Sequence, residues 1–129
     1  MILDTTVLVA TERRRQVLDD LIDDGDDVAI AAVTAAELLV GVELATGRRR
    51  HSRQRYVEAV LASVPVENYD LDVARAHAQL LAHARRSGRP RGAHDLLIAA
   101  TSLARNRVVV TRDQGGFSDL PRVNVRSPD

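Results

Sequence analysis

The chain opens MILDTT (residues 1–6), where three apolar residues of strand character run straight into Asp4 and two hydroxyl residues. A carboxylate at the end of a buried strand has two uses: it caps the helix that follows, or it meets other carboxylates at a site. Choosing between them depends on what else the chain delivers to the same place. Outward from this stretch, four more runs have strand length: VAIAAV (28–33), SVPVEN (63–68), RVVVT (107–111) and VNV (123–125). Most are rich in β-branched residues. Helical patterns lie between them. Residues 11–24 set Val17, Leu18, Leu21 and Ile22 on one stripe with Gly25 as a stop, and residues 34–46, 51–63, 70–86 and 93–105 read the same way. In the fourth of these, Leu71, Ala74, Ala78 and Leu81 recur at helical spacing, and Gly88 and Pro90 end it.

Strands alternating with helices of this length predict an α/β domain of three layers, α/β/α, with about five mostly parallel strands flanked by helices. In that class, ligands bind outside the carboxyl ends of the strands, where helix N-termini also point. No internal repeat, low-complexity tract or long linker divides the chain, so residues 1–129 read as a single domain.

Composition narrows the chemistry. The chain has 129 residues, enough to bury a core without disulfides or structural metal, and its 45% hydrophobic and 28% charged residues are ordinary for a globular domain. There is no cysteine, which excludes thiolate metal sites and thiol nucleophiles. With aromatics limited to Tyr56, Tyr69 and Phe117, no platform exists on which successive bases could stack. No secretory signal or membrane-spanning run is visible, so a cytoplasmic location is expected. The 18 basic and 18 acidic residues cancel, and every basic one is arginine. DDLIDDGDD (19–27) is a local acidic run; RRRHSRQR (48–55) and RRSGRPRG (85–92) are local basic ones.

Four carboxylates fall at strand or helix junctions. Asp4 ends the first strand, Glu37 lies in the first turn of the helix after VAIAAV, Asp95 opens HDLLIAATSLAR, and Asp113 follows RVVVT. A parallel sheet would bring all four to one end. Each also has a local reading: Thr34 to Glu37 (TAAE) has capping-box spacing, and the aspartates could cap helices or turns. Caps on different helices, however, have no reason to converge. Four ionised carboxylates within ~5 Å would repel by roughly 3 kcal/mol per pair at an effective dielectric of 20, so such a cluster needs a cation. Oxygen ligands without His or Cys suit a hard divalent ion, Mg²⁺ or Mn²⁺. His77 and His83 lack zinc spacing, and His51 and His94 are isolated. A lysine-free acidic pocket also excludes phosphatases that hold the phosphoryl group with lysine, leaving hydrolysis of a phosphodiester by metal-activated water.

The segments MILDTTVLVA, VTAAELLVGV, HDLLIAATSLA and VVVTRDQGGF, in this order and at these separations, resemble the signature segments of a PIN domain, specifically those of the VapC toxins of VapBC toxin–antitoxin modules. The resemblance covers nearly the whole chain. It implies an endoribonuclease toxin acting on structured RNA such as tRNA and blocked by a VapB antitoxin, with Asp4, Glu37 and Asp95 as the central metal-binding acids and Asp113 as the fourth. Many relatives carry a further Asp where this chain has Gly116. Thr5, Thr6 and Thr111 are expected to orient the ligating carboxylates through hydrogen bonds. Arg86, Arg89 and Arg91, together with Arg85, lie within ten residues of Asp95, and Arg112 adjoins Asp113; these are the expected RNA phosphate contacts. The run at 48–55 is as compatible with RNA contact as with a solvated helix start. The resemblance further implies a homodimer, and a heterotetramer or larger assembly with antitoxin, which would bury a segment against the helices after the second strand. There, Leu38, Leu39, Val42 and Leu44 fit either a groove or core. The alternative from another class is a non-catalytic RNA- or partner-binding relative with vestigial acids.

Overall fold

The computed structural model describes residues 1–14 and 27–129. Five short strands and five α-helices occur among them: β1 (Ile2–Leu3), α1 (Thr5–Arg13), β2 (Ile30–Ala31), α2 (Ala32–Leu44), α3 (Gly47–Ser63), β3 (Val66–Glu67), α4 (Leu71–Ser87), α5 (Ala93–Ala104), β4 (Val109–Val110) and β5 (Val125–Arg126). The strand pairs are all parallel: β1 with β4, β4 with β5, and β2 with β3. A bridge between Ile2 and Ala29 joins the two sets, with Leu3 N–H donating to Ala29 O and Ala29 N–H to Met1 O. The spatial order is therefore β3-β2-β1-β4-β5. The chain steps outward from β1 through β2 to β3, then returns to the other side of β1. That reversal, between β1 and β4, is where a parallel sheet opens a crevice at its carboxyl end.

Alternation along each strand builds the layers. Ile2, Ala29, Ala31 and Val109 join one core cluster with Val73, Leu80, Leu96, Ile98 and Phe117, under α4 and α5. Their neighbours Leu3, Ile30 and Val110 join a second cluster with Val7, Leu8, Leu38, Val57 and Val60, under α1, α2 and α3. Successive strand residues point to opposite faces, so a sheet with helices on both sides must be apolar at every position. Each fully buried Leu or Ile contributes about 1.5–3 kcal/mol relative to exposure.

Several helices differ from the sequence expectation. The residues expected as a helix over 11–24 lie largely outside the described residues, and so does most of the acidic run at 19–27; residues 11–13 instead end α1, which begins at Thr5. Its buried face is Val7, Leu8 and Thr11, a helical stripe hidden within a run whose β-branched residues favour strands. Helix α2 starts at Ala32, not Thr34, so Thr34 lies inside the helix and there is no capping box; the N-cap is Ala31, without a side-chain hydrogen bond. Helix α3 begins at Gly47, which places RRRHSRQR within it. For α4 the ends are as expected, with the Asp70 carboxylate accepting from Val73 N–H and Gly88 in the left-handed conformation at the C-cap, but the inward face is rotated. Val73, Ala76, Leu80 and Ala84 are buried, and Leu71 is exposed.

Candidate active site

Asp4 stands at the crevice between β1 and β4 and is only 3% exposed. It performs both tasks that its position in the sequence allowed. Oδ1 accepts from Thr5 N–H at 2.8 Å, which caps α1, while Oδ2 accepts from the hydroxyls of Thr6 at 2.9 Å and Thr111 at 2.7 Å. Those hydroxyls in turn accept from the backbone of the segment after β4: Arg112 N–H reaches Thr6 Oγ1 at 3.2 Å and Asp113 N–H reaches Thr111 Oγ1 at 3.0 Å. The network orients Asp4 and ties it to Asp113. A carboxylate offers about four acceptor positions; three are filled, leaving one on Oδ1.

The other three acids arrive from different elements. Glu37 comes from the second turn of α2 and accepts from Thr5 Oγ1 at 3.0 Å; its other oxygen lies 3.4 Å from His94 Nδ1. Thr5 thus touches Asp4 through its amide and Glu37 through its hydroxyl. Asp95 enters from the first turn of α5, and its Oδ2 fits between two glycines. A Cβ at Gly92 would lie 3.3 Å from that oxygen, and one at Gly116 only 2.7 Å from it and 3.5 Å from Asp113 Oδ2. Gly116, where the resemblance led one to look for a further acid, is therefore where the Asp95 carboxylate needs room.

Asp4, Glu37, Asp95 and Asp113 line one cavity of about 530 Å³, together with Thr5, Thr6, Arg112 and the α1 residues Val9, Ala10, Arg13 and Arg14. Electrostatics mark the cluster. The Asp95 carboxyl is pushed up to about 6, first by desolvation and then by the charges of Asp4, Asp113 and Glu37, with His94 opposing them. Three neighbouring acids thus add to the cost of burial, and His94 offsets them only in part. The donor set is all oxygen and negatively charged, which fits a hard divalent cation. Among the described residues, no three acids or histidines form a preassembled ligand cage. The hydrogen bonds from Thr5, Thr6 and Thr111 hold Asp4 in place beside the other three acids.

A PIN-domain family model matches residues 1–123. The chain belongs to the PIN-domain family. Among characterised PIN-domain proteins it is similar to ribonuclease VapC5 of Mycobacterium tuberculosis, 42% identical over 115 residues covering 87% of this chain and 82% of the relative. It is also similar to the tRNA(fMet)-specific endonuclease VapC of Salmonella typhimurium, 30% identical over 98 residues covering 76% and 73%. The crystal structure of the toxin–antitoxin complex VapBC-5 from Mycobacterium tuberculosis contains a chain that superposes with a TM-score of 0.77 at 36% identity, covering 98% of this PIN domain and 94% of that chain.

The arginines of this PIN domain divide differently from the sequence expectation. Arg112 lines the cavity. Arg91 does not: its side chain is 10% exposed, with Nη1 donating to Gly115 O at 3.2 Å and Nη2 3.8 Å from Asp119. It braces the turn containing Gly116. Arg89 pairs with Asp119, and Arg86 is exposed on the last turn of α4, away from the cavity lining. Arg85, Arg89 and Arg91 instead border a separate cavity at the α4–α5 connection. Arg13 and Arg14, unremarked in the sequence, are the exposed cations at the acid cavity. Only the observation that α1 begins at Thr5, and so ends beside the site, could have revealed them. In the run 48–55, Arg53 folds inward to Glu12 at 3.1 Å. Of the four apolar residues weighed as groove or core, Leu38 and Val42 are buried, and Leu39 and Leu44 are exposed.

Proposed function

We propose that this PIN domain is a divalent-metal-dependent endoribonuclease toxin of the VapC kind, using Mg²⁺ or Mn²⁺ and cutting structured RNA such as tRNA. The observation that carries this reading is the convergence of four carboxylates, from four separate parts of the fold, on one cavity at the reversal point of a parallel sheet. The names of the relatives support the reaction, since they include ribonucleases and a tRNA-specific endonuclease. The VapBC-5 structure supports a VapB-type antitoxin as partner; in this reading the toxin is a homodimer that joins its antitoxin in a heterotetramer or larger particle. None of the described helices is long and apolar enough to cross a membrane.

In this reading Asp4, Glu37 and Asp95 would hold the cation, with Asp113 as the fourth acid of the cluster; a bound divalent ion would supply positive charge to the phosphodiester and a lowered pKa for the attacking water. Thr6 and Thr111 keep Asp4 in one rotamer, so a single Oδ1 position faces the cavity. Thr5 sets the spacing between Asp4 and Glu37. Arg13 and Arg14 at the rim draw a polyanion toward a cavity whose acids would otherwise repel it.

The test is cleavage of cellular RNA by the purified chain with Mg²⁺ or Mn²⁺, with EDTA, and with Asp4→Asn. Sequencing of 5′ ends after brief induction in cells would identify the bonds cut. Cleavage that persists in EDTA, or that Asp4→Asn leaves intact, overturns the assignment.

A further inference from the structure

Arg112 is held in an unusual way. Its backbone is pinned to the site through Thr6, and its side chain lines the acid cavity. Nevertheless its guanidinium forms no ion pair with any of the four acids. The ion pair it makes is with the carboxylate of Asp129, from Nη1 at 3.5 Å, with the arginine side chain 23% exposed and the aspartate 74%. Its Nε is buried and has no hydrogen-bond partner among the described residues. A buried guanidinium donor left unmet is rare in native structures and calls for a reason. Among the described residues the fork meets one exposed carboxylate, through Nη1 and at a long distance, while Nε has no partner. The edge formed by Nε with a terminal nitrogen is the one a phosphate or carboxylate engages with two parallel hydrogen bonds.

We propose that Arg112 grips a phosphodiester of the bound RNA at the cavity, and that Asp129 holds the same guanidinium aside until the phosphate replaces it. The proposal rests on the ribonuclease reading above and adds a specific phosphate contact and a competitor for it. The other cavity cations, Arg13 and Arg14, lie exposed on the end of a helix, whereas Arg112 is anchored directly after a central strand and beside Asp113. It is thus the cation whose placement relative to the acids is fixed. Asp129 stands in for the phosphate electrostatically but offers it a poorer partner, with two oxygens and one contact. An exposed ion pair of this kind is readily displaced.

The experiment measures binding of a labelled RNA stem-loop in EDTA, across a salt series, for the parent and for Arg112→Gln, Arg112→Ala, Arg112→Lys, Asp129→Asn and the Arg112→Gln/Asp129→Asn double variant. Thermal melts establish that each is folded, and Arg112→Gln preserves the stem of the side chain in case the alanine variant is not. Arg112→Gln should weaken binding about tenfold and lower the slope of log affinity against log salt by about one unit. Arg112→Lys should fall between it and the parent. Asp129→Asn should tighten binding up to about fivefold, and this gain should vanish in the double variant. If Arg112→Gln binds RNA as the parent does, with the same salt slope, Arg112 is not a phosphate contact and the proposal fails while the ribonuclease reading stands. If Asp129→Asn weakens binding, or tightens it equally without Arg112, the competition is refuted. A parent that neither binds nor cuts RNA refutes both.

Discussion

Two groups of carboxylates in this molecule are treated in opposite ways. Beside β3 and the end of α5, Arg105 reaches Glu67 at 3.0 Å and Asp70 at 2.8 Å, and Arg107 reaches Glu67 at 3.1 Å and Asp27 at 3.4 Å. Asp70 is held below the usual carboxylate range, first by the amide of Val73 and then by Arg105. At the acid cavity, arginines stand at the margin without pairing with the acids, and Asp95 is pushed up to about 6. The same residue types therefore serve two purposes. Where each acid has a cation, the cluster fastens a helix end to a strand; where acids are gathered and left unneutralised, the fold accepts a local cost that a bound ion would relieve.

The largest effect should come from removing charge at the cavity. Asp4→Asn, Glu37→Gln and Asp95→Asn are each expected to lower kcat/KM for RNA by at least about a thousandfold, since a thousandfold corresponds to only ~4 kcal/mol of transition-state stabilisation. The metal-free Tm should hold or rise, because repulsion is relieved. Variants that cleave normally, or that unfold, would erase the distinction between the two clusters.

Arg105→Ala should do the reverse: a fall in Tm of a few degrees, on the order of that produced by ~1 kcal/mol, with cleavage by the folded fraction unchanged. Calorimetry alongside an activity assay below the transition checks both halves.

Titration sharpens the contrast. Asp95 has its folded pKa raised to about 6 from a model value of 3.8, so its contribution to metal-free stability is fully present below about 3.8 and lost as pH rises through 6. Asp70, shifted downward, contributes above its model value of 3.8 and loses that contribution as pH falls through its folded pKa. Denaturation of metal-free Asp95→Asn across pH 4–7 should therefore lack the parent's decline, and metal affinity of the parent should weaken below pH about 6, where protons compete for Asp95. A parent without that decline would remove the electrostatic basis of the comparison.

Smaller effects are expected around the fourth acid. Thr111→Val, which removes a hydrogen bond to Asp4 and one to the Asp113 amide, should lower metal affinity by about 10- to 100-fold, as loss of partners behind metal ligands does. Asp113→Asn should retain partial activity and Asp113→Ala less, with recovery at high Mn²⁺. Asp119→Asn should stay near the parent, because Asp119 pairs with Arg89 and Arg91 in a turn. Damage concentrated in Asp119 would shift the assignment of the last motif.

The layer order, and with it the positions of Asp4 and Asp113 after β1 and β4, was legible in the sequence because a strand end fixes where the next residue points, whereas Glu37 and Asp95 were legible from where helices α2 and α5 start. The start of α1 was not legible, because Thr5, Thr6, Val7 and Val9 individually favour extended backbone, while the Asp4 cap and packing of Val7, Leu8 and Thr11 make the segment helical. The face of α4 was misread because alanines occur all around it, so two stripes fit the period and tertiary packing selected Val73 and Leu80. The contact of Arg91 with the Gly115 carbonyl was invisible for a different reason: it depends on where the turn at Gly115 lies in space.

The central position of β1 governs when the cavity can exist. Ile2 pairs with Val109, and Asp4 receives its hydrogen bond from Thr111, a partner 107 residues later. During synthesis at roughly 5–20 residues per second, the first strand must wait several seconds before its neighbour on that side has been made. Until then the sheet lacks one wall of the crevice, and Asp4 lacks both of its links to β4 and the residue after it, those to the Val110 carbonyl and from the Thr111 hydroxyl. A nascent chain therefore cannot complete the hydrogen bonding of Asp4 before β4 has been made, and a fragment truncated before Val109 lacks the Val110 and Thr111 partners of Asp4.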